Sequence, residues 1–253
     1  RLLDLLLVQP ERESGQTKFR ISRELVVRDG VFNWQNNKSL LAGVNLEIPR
    51  GRITALCGPS GAGKSTLVKI LDRRYDLREG RLLVDETPAE EIGLYSYRRH
   101  VATLPEFVSI IDGTIADNIL LGRRAQSQRH LLDRIESLGL SRFINRFPNG
   151  VFTFVGEDGR RISSGEQQTI GLLRALWDTP DVLLVDAGMN AVDAELSQLF
   201  FKTLRTYAED HAVLIVSHQP RTLLKADFVY VLDTGRITEA GTPDELLGAD
   251  SAF

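Results

Sequence analysis

Residues 58–66 read Gly58-Pro59-Ser60-Gly61-Ala62-Gly63-Lys64-Ser65-Thr66 and fit the spacing G-x-x-x-x-G-K-[ST] at every constrained position. Glycines in such a loop let the backbone curl until successive N–H groups point inward as a nest for phosphate oxygens. A helix beginning at the end of the loop adds partial positive charge. Lys64 has the length to reach β- and γ-phosphate oxygens. The Ser65 hydroxyl suits Mg²⁺, a hard cation that takes oxygen ligands. Far along the chain, Val182-Leu183-Leu184-Val185-Asp186 is an unbroken apolar run ending in Asp, as a buried parallel strand would read. A carboxylate at such a strand end, beside a phosphate loop, can hold the metal's coordination shell. Either feature alone has a bland reading, a Gly-rich turn or an ordinary buried strand; together they point to one site.

The elements that must position these groups are visible around them. Ile53-Thr54-Ala55-Leu56-Cys57 reads as a short buried strand, and Leu67, Val68, Ile70 and Leu71 fall at helical spacing after the loop. Two strand-like segments come earlier, at residues 24–27 and 40–48, with Phe32-Asn33-Trp34-Gln35-Asn36-Asn37 expected to be a turn between them. Further strands are expected at 81–84, 101–104, 212–217 and 228–232, with 236–238 pairing back across Asp233-Thr234-Gly235. Residues 114–147 are mostly helical in pattern, with Leu131, Leu132, Ile135 and Leu138 on one face, and another helix starts near Ser163. Residues 196–207 are helical as well. Strands alternating with helices predict an α/β fold. The expected architecture is a parallel sheet around the phosphate loop, an antiparallel β region near the N-terminus and an inserted helical subdomain near residues 107–178.

Composition sets bounds. The 253 residues carry 42% hydrophobic residues and a net charge of −3, enough for a substantial core and without the basic surplus of a dedicated nucleic-acid binder. The single cysteine, Cys57, excludes an internal disulfide and reads as a small buried apolar residue. The early run Leu2-Leu3-Asp4-Leu5-Leu6-Leu7-Val8 is far short of the ~20 residues that span a bilayer and lacks the flanks of a signal peptide. The chain starts at Arg1, as a piece of a longer protein would. Residues 10–18 are polar and read as a linker.

In this order the motifs resemble the nucleotide-binding domain of an ATP-binding cassette (ABC) transporter, over nearly the whole chain. The resemblance implies a P-loop NTPase core that binds ATP and Mg²⁺, with Ser65, Asp186 and Glu106 at the metal. In that family a signature loop, Leu-Ser-Gly-Gly-Gln, clamps the γ-phosphate held by the other subunit; here it is Ile162-Ser163-Ser164-Gly165-Glu166. Ser163 and Gly165 match. Glu166 departs, and its charge is expected to sit close to that phosphate and weaken the clamp. Trp34 matches the aromatic that stacks on adenine, with a strand-end core residue as the alternative. Phe32 is expected to point to the core. His218 matches the switch histidine that contacts the γ-phosphate, and Asp193 matches the carboxylate of a loop crossing the dimer interface, with a helix N-cap as its plainer role.

Two further departures bear on catalysis. The family places Glu after the Asp of the strand-end motif to orient or deprotonate the attacking water; here that position is Ala187, whose methyl group does neither. Glu106 stands where the family has Gln. Phosphate and metal binding are therefore expected to be intact and hydrolysis impaired. Residues 114–119 and Val155-Gly156-Glu157-Asp158-Gly159 resemble exporter-type segments that meet a membrane domain, and residues 1–22 resemble the linker from its last helix. The implied protein is the domain at residues 23–253 on the cytoplasmic face of a membrane, working with a transmembrane domain and with a second nucleotide-binding domain, head-to-tail, as a homo- or heterodimer. Ala187 reads either as an introduced block in an ATPase or as a native feature of a degenerate half with an active partner. A soluble family member acting in repair or translation is a weaker third reading.

Overall fold

A computed structural model of the chain describes residues 15–34, 39–186 and 194–248. In chain order the strands are β1 (Glu24–Asn33), β2 (Ser39–Pro49), β3 (Arg52–Cys57), β4 (Glu79–Val84), β5 (Thr87–Pro88), β6 (Val101–Leu104), β7 (Val182–Asp186), β8 (Ala212–Val216), β9 (Phe228–Asp233) and β10 (Arg236–Gly241). The α-helices are α1 (Lys64–Leu71), α2 (Leu94–His100), α3 (Ile115–Leu120), α4 (Gln128–Ser137), α5 (Ser141–Ile144), α6 (Ser164–Leu176), α7 (Ala194–Ala208), α8 (Pro220–Leu223) and α9 (Pro243–Gly248).

The strands form two sheets. One is antiparallel with order β2-β1-β4-β5; the other has order β10-β9-β3-β8-β7-β6 and is parallel except where β10 turns back along β9. The second sheet is apolar on both faces, as a parallel sheet covered on each side must be. In β3, Ile53, Ala55 and Cys57 point into one core and Leu56 into another; in β8, Val213 and Ile215 oppose Ala212, Leu214 and Val216 in the same way. Helix α1 fills the layer between the sheets. Its Leu67, Val68, Ile70 and Leu71 join Leu25, Val27 and Leu46 of the antiparallel sheet. The opposite face is covered by α6 and α7 through Leu172, Leu173, Phe200 and Leu204, and that core runs on into α3, α4 and α5. This is the α/β fold expected from the sequence.

Three local expectations change. The turn expected at 32–37 starts later, because β1 continues through Phe32 and Asn33, which pair with Leu41 and Ser39. Strand alternation there buries Phe32, as expected of it. Residues 35–37 lie outside the described residues. Leu132 does not share the buried face of α4: Leu131, Ile135 and Leu138 are buried, whereas Leu132, one step of about 100° further round the helix, is exposed. The polar segment before β1 is partly pinned down. The N–H groups of Gln16 and Thr17 donate to Glu91 O, and Phe19 is buried with its ring stacked on His100 at 5.0 Å.

Candidate nucleotide-binding site

The loop from Gly58 to Gly63 joins the carboxyl end of β3 to the N-terminus of α1. Its shape depends on two glycines. Gly58 has φ +136°, and a Cβ there would stand 1.9 Å from the carbonyl oxygen of Leu232 in β9. Gly63, the N-cap of α1, has φ +109°, and a Cβ would come within 2.7 Å of the Leu41 side chain. No other residue type allows both the left-handed backbone and the close approach.

Lys64 is buried, and its ammonium donates to the carbonyl oxygens of Gly58 and Pro59 at 2.8 and 2.7 Å. Burial lowers its pKa, against the opposing pull of Cys57 and Asp186. The ammonium therefore lies folded along the loop that carries it. Ser65 Oγ donates to Asp186 Oδ1 at 3.3 Å. Burial raises the Asp186 carboxyl; the Ser65 hydrogen bond opposes this, and the Glu106 charge adds to it. His218, just past the end of β8, has its pKa lowered by burial and by Lys64, with Glu106 pulling the other way.

These groups share one cavity of about 430 Å³. Ser60, Gly61, Gly63, Lys64, Ser65 and Thr66 form its loop side, and Glu106, Asp186 and His218 face them. The donor set fits Mg²⁺ with phosphate: a hydroxyl and a carboxylate already within hydrogen-bond reach, beside an ammonium and a helix N-terminus. Magnesium commonly takes only one or two carboxylates and completes its shell with phosphate and water. Among the described residues no cluster of three or more His, Cys, Asp or Glu side chains forms a metal cage.

The other expected residues lie elsewhere. Trp34, at the end of β1, is 45% exposed and outside the cavity lining. Its indole meets Phe32 and Tyr75 edge-on, both at 5.3 Å. Half-exposure distinguishes it from a closed-off core aromatic. Tyr75 was missed from the sequence, although an aromatic just past α1 was its signal. Ser163 and Gly165 start α6 and do not line the cavity. The Glu166 carboxylate, whose charge the sequence puts close to the partner's phosphate, has local partners of its own. It turns back on the helix start, accepting from the Ser163 N–H at 2.7 Å and the Ser163 hydroxyl at 3.0 Å, while Glu166 N–H donates to Ser163 Oγ at 3.3 Å. This is a capping box, and S-x-x-E is its sequence signature. Ala187 and Asp193 lie outside the described residues. Gln168, also unforeseen, donates its side-chain amide to the main-chain oxygen of Glu106.

A strand–loop–helix phosphate cradle at the head of a parallel sheet, with a carboxylate from a strand two places away, defines a P-loop nucleotide-binding fold. The profile of the ABC transporter family matches residues 41–190, and the chain belongs to that family. It is 32% identical over 253 residues to the ATP-dependent lipid A-core flippase of Saccharophagus degradans, covering 100% of this chain and 43% of that protein. It is 34% identical over 226 residues to the beta-(1-->2)glucan export ATP-binding/permease protein NdvA of Rhizobium johnstonii, covering 89% of this chain and 38% of that one. A bacterial Atm1-family ABC exporter solved with ATP bound superposes with a TM-score of 0.87 at 30% identity, over 99% of this chain and 46% of that one. The chain thus spans less than half the length of these relatives. Among its described residues no helix is long and apolar enough to cross a membrane.

Proposed function

We propose that this chain is the nucleotide-binding domain of an exporter, binding Mg-ATP and closing head-to-tail on a second such domain to drive movement of an attached transmembrane domain. The observation that carries this is the convergence of Lys64, Ser65, Asp186, Glu106 and His218 on one cavity at the mouth of the phosphate loop. Lys64 exchanges its bonds to Gly58 and Pro59 for phosphate oxygens. Ser65 and Asp186 hold the metal, whose charge offsets that of the phosphates. Trp34 stacks on the base, and His218 reaches the terminal phosphate. Ser163 and Gly165 face the partner's nucleotide, and Asp193 crosses the same interface. The relatives named above are membrane exporters, which supports a place at the cytoplasmic face of a membrane. Residues 1–22 serve as the linker, and residues 107–178 as the helical subdomain.

Hydrolysis is impaired, because Ala187 supplies no base. A second reading makes this native: the chain is a non-hydrolysing half that pairs with an active partner. Glu106 favours it, because a charge in the cavity adds to the burial that already raises the Asp186 carboxyl. The test is the ATPase rate of the chain and of Ala187→Glu at saturating Mg-ATP. Restoration by on the order of 10²–10⁴, the size of a general-base contribution, assigns the defect to Ala187 alone. Two silent proteins that still bind ATP favour the degenerate half. Loss of ATP binding altogether would remove the proposal.

A further inference from the structure

We infer that Tyr75 is a positioning residue for the nucleotide: with Phe32 it fixes the Trp34 indole, working from the far end of the helix that carries the phosphate loop, so that a base is met at a set place relative to its phosphates. This rests on the reading of Trp34 above as the residue that stacks on the base. Three rings form one group. Phe32 and Tyr75 are stacked, with centroids 5.6 Å apart and planes 26° from parallel. Trp34 stands nearly perpendicular to both, at 89° and 78°, with 5.3 Å to each. Edge-to-face contact is a favoured geometry for aromatic pairs, because the positive edge of one ring meets the negative face of the other. Two such contacts on one indole constrain its tilt as well as its place.

Tyr75 can do this because its backbone is tied down. Helix α1 ends at Leu71, and Arg73 leaves it with a left-handed φ of +51°. The chain turns back on the helix there, and the N–H groups of Arg74 and Tyr75 both donate to Lys69 O, at 2.8 and 3.3 Å. Asp72, buried beside them, is ion-paired with Arg74. The Tyr75 ring is half-buried against the core that α1 shares with the antiparallel sheet, and Lys69 Nζ lies 5.7 Å from its centroid. Lys64 and Ser65, which line the cavity, begin the same helix. Its eight residues span about 12 Å, at about 1.5 Å each. Phe32 and Trp34 belong to the end of β1, so Tyr75 is the ring that joins the indole to the phosphate-loop helix. Neither Tyr75 nor Trp34 lines the cavity, and Tyr75 acts on a ligand through Trp34.

The experiment is calorimetric titration of the full 253-residue chain with Mg-ATP and with Mg-tripolyphosphate, on the parent, Y75L, Y75M, Y75F, W34A and the double variant W34A/Y75L. Leu and Met fill the half-buried place without a ring, and Phe retains the ring. Y75L and Y75M should each weaken ATP by about fivefold, the size of losing one aromatic pair, and change tripolyphosphate by less than about twofold. Y75F should bind both as the parent does. In W34A/Y75L the change at Tyr75 should add nothing, since the indole it acts through is gone. A merely structural role would weaken both ligands alike, in either background, in step with lower thermal stability. Equal losses for the two ligands in Y75L and Y75M overturn the inference. So does unaltered ATP binding in both, or a Y75L effect that persists undiminished without Trp34. If W34A itself loses tripolyphosphate as much as ATP, the reading of Trp34 falls and this inference with it.

Discussion

The side-chain amide of Gln168 donates to the main-chain carbonyl of Glu106, which ties the second turn of α6 to the segment that presents a carboxylate to the cavity. Gln168 is buried, and its contact lies between α6 and the end of β6. A shift of α6 is therefore felt at Glu106 directly, through one bond. Gln168→Leu keeps most of the volume and removes the donor. The expected cost is about 1 kcal/mol in urea unfolding, the net worth of a typical hydrogen bond. Faster amide exchange around residues 104–107 should accompany it, and unchanged exchange there would show that the bond does not restrain the segment.

The Lys64 ammonium rests on two carbonyl oxygens of its own loop. Bound phosphate must replace both, and the gain is that of hydrogen bonds to a charged group, about 1.5–3 kcal/mol each. Lys64→Met fills the same buried space without the charge. Its affinity for fluorescent ATP should fall by at least tenfold while the midpoint of thermal unfolding stays the same or rises, because burial of the ammonium lowers the pKa and so disfavours the charged form.

Trp34 stands apart from the cavity, supported edge-on by Phe32 and Tyr75. If it carries the base, its removal should cost ATP but not a ligand without a base. Base stacking on an aromatic is worth about 1–3 kcal/mol by alanine substitution. Trp34→Ala should weaken ATP by roughly five- to 150-fold and leave tripolyphosphate binding by calorimetry unaltered. Equal losses for both would remove Trp34 from base recognition.

Asp85, in the turn after β4, closes the start of β1. Burial alone would raise its carboxyl, but the N–H groups of Glu24, Ser22 and Arg23 and the Ser22 hydroxyl all donate to it and hold it below the ordinary 3.8. A carboxyl depressed in the folded state contributes stability that is fully present above its unfolded pKa and is lost as pH falls through the folded value. Asp85→Asn, which tolerates the left-handed backbone at φ +56°, should therefore be less stable than the parent at neutral pH. The difference should begin to shrink only below the ordinary 3.8 and close as pH falls through the lowered folded value, as followed by circular dichroism during acid titration.

The fold was legible where side-chain period and burial agree. The runs 182–185 and 212–216 are apolar at every position, and both lie in strands buried on each face. The loop at 58–66 was legible because its glycines, lysine and hydroxyls each answer a separate demand of phosphate chemistry. Short elements escaped: α2, α8 and α9 span about two turns or fewer and carry too few positions to set a period. The Trp34 turn was placed too early because Phe32 and Asn33 extend β1 by pairing with Leu41 and Ser39 of the adjacent strand, and the register of that pairing is not revealed by local pattern. The capping box at Ser163 was present in the letters. A comparison with a signature loop drew attention to what Glu166 lacks, and helix-end chemistry explains what it does.

Gly58 sits against the Leu232 carbonyl, and β9 is in turn paired with β3 and β10. This bears on how such a chain changes over generations. A side chain at position 58 would have to displace a strand held on both sides, so that point of the cradle is closed to single substitutions. Glu106 and Ser163 are exposed and Glu166 half-buried, and substitutions there leave both cores untouched. Drift therefore reaches these exposed positions long before it reaches position 58.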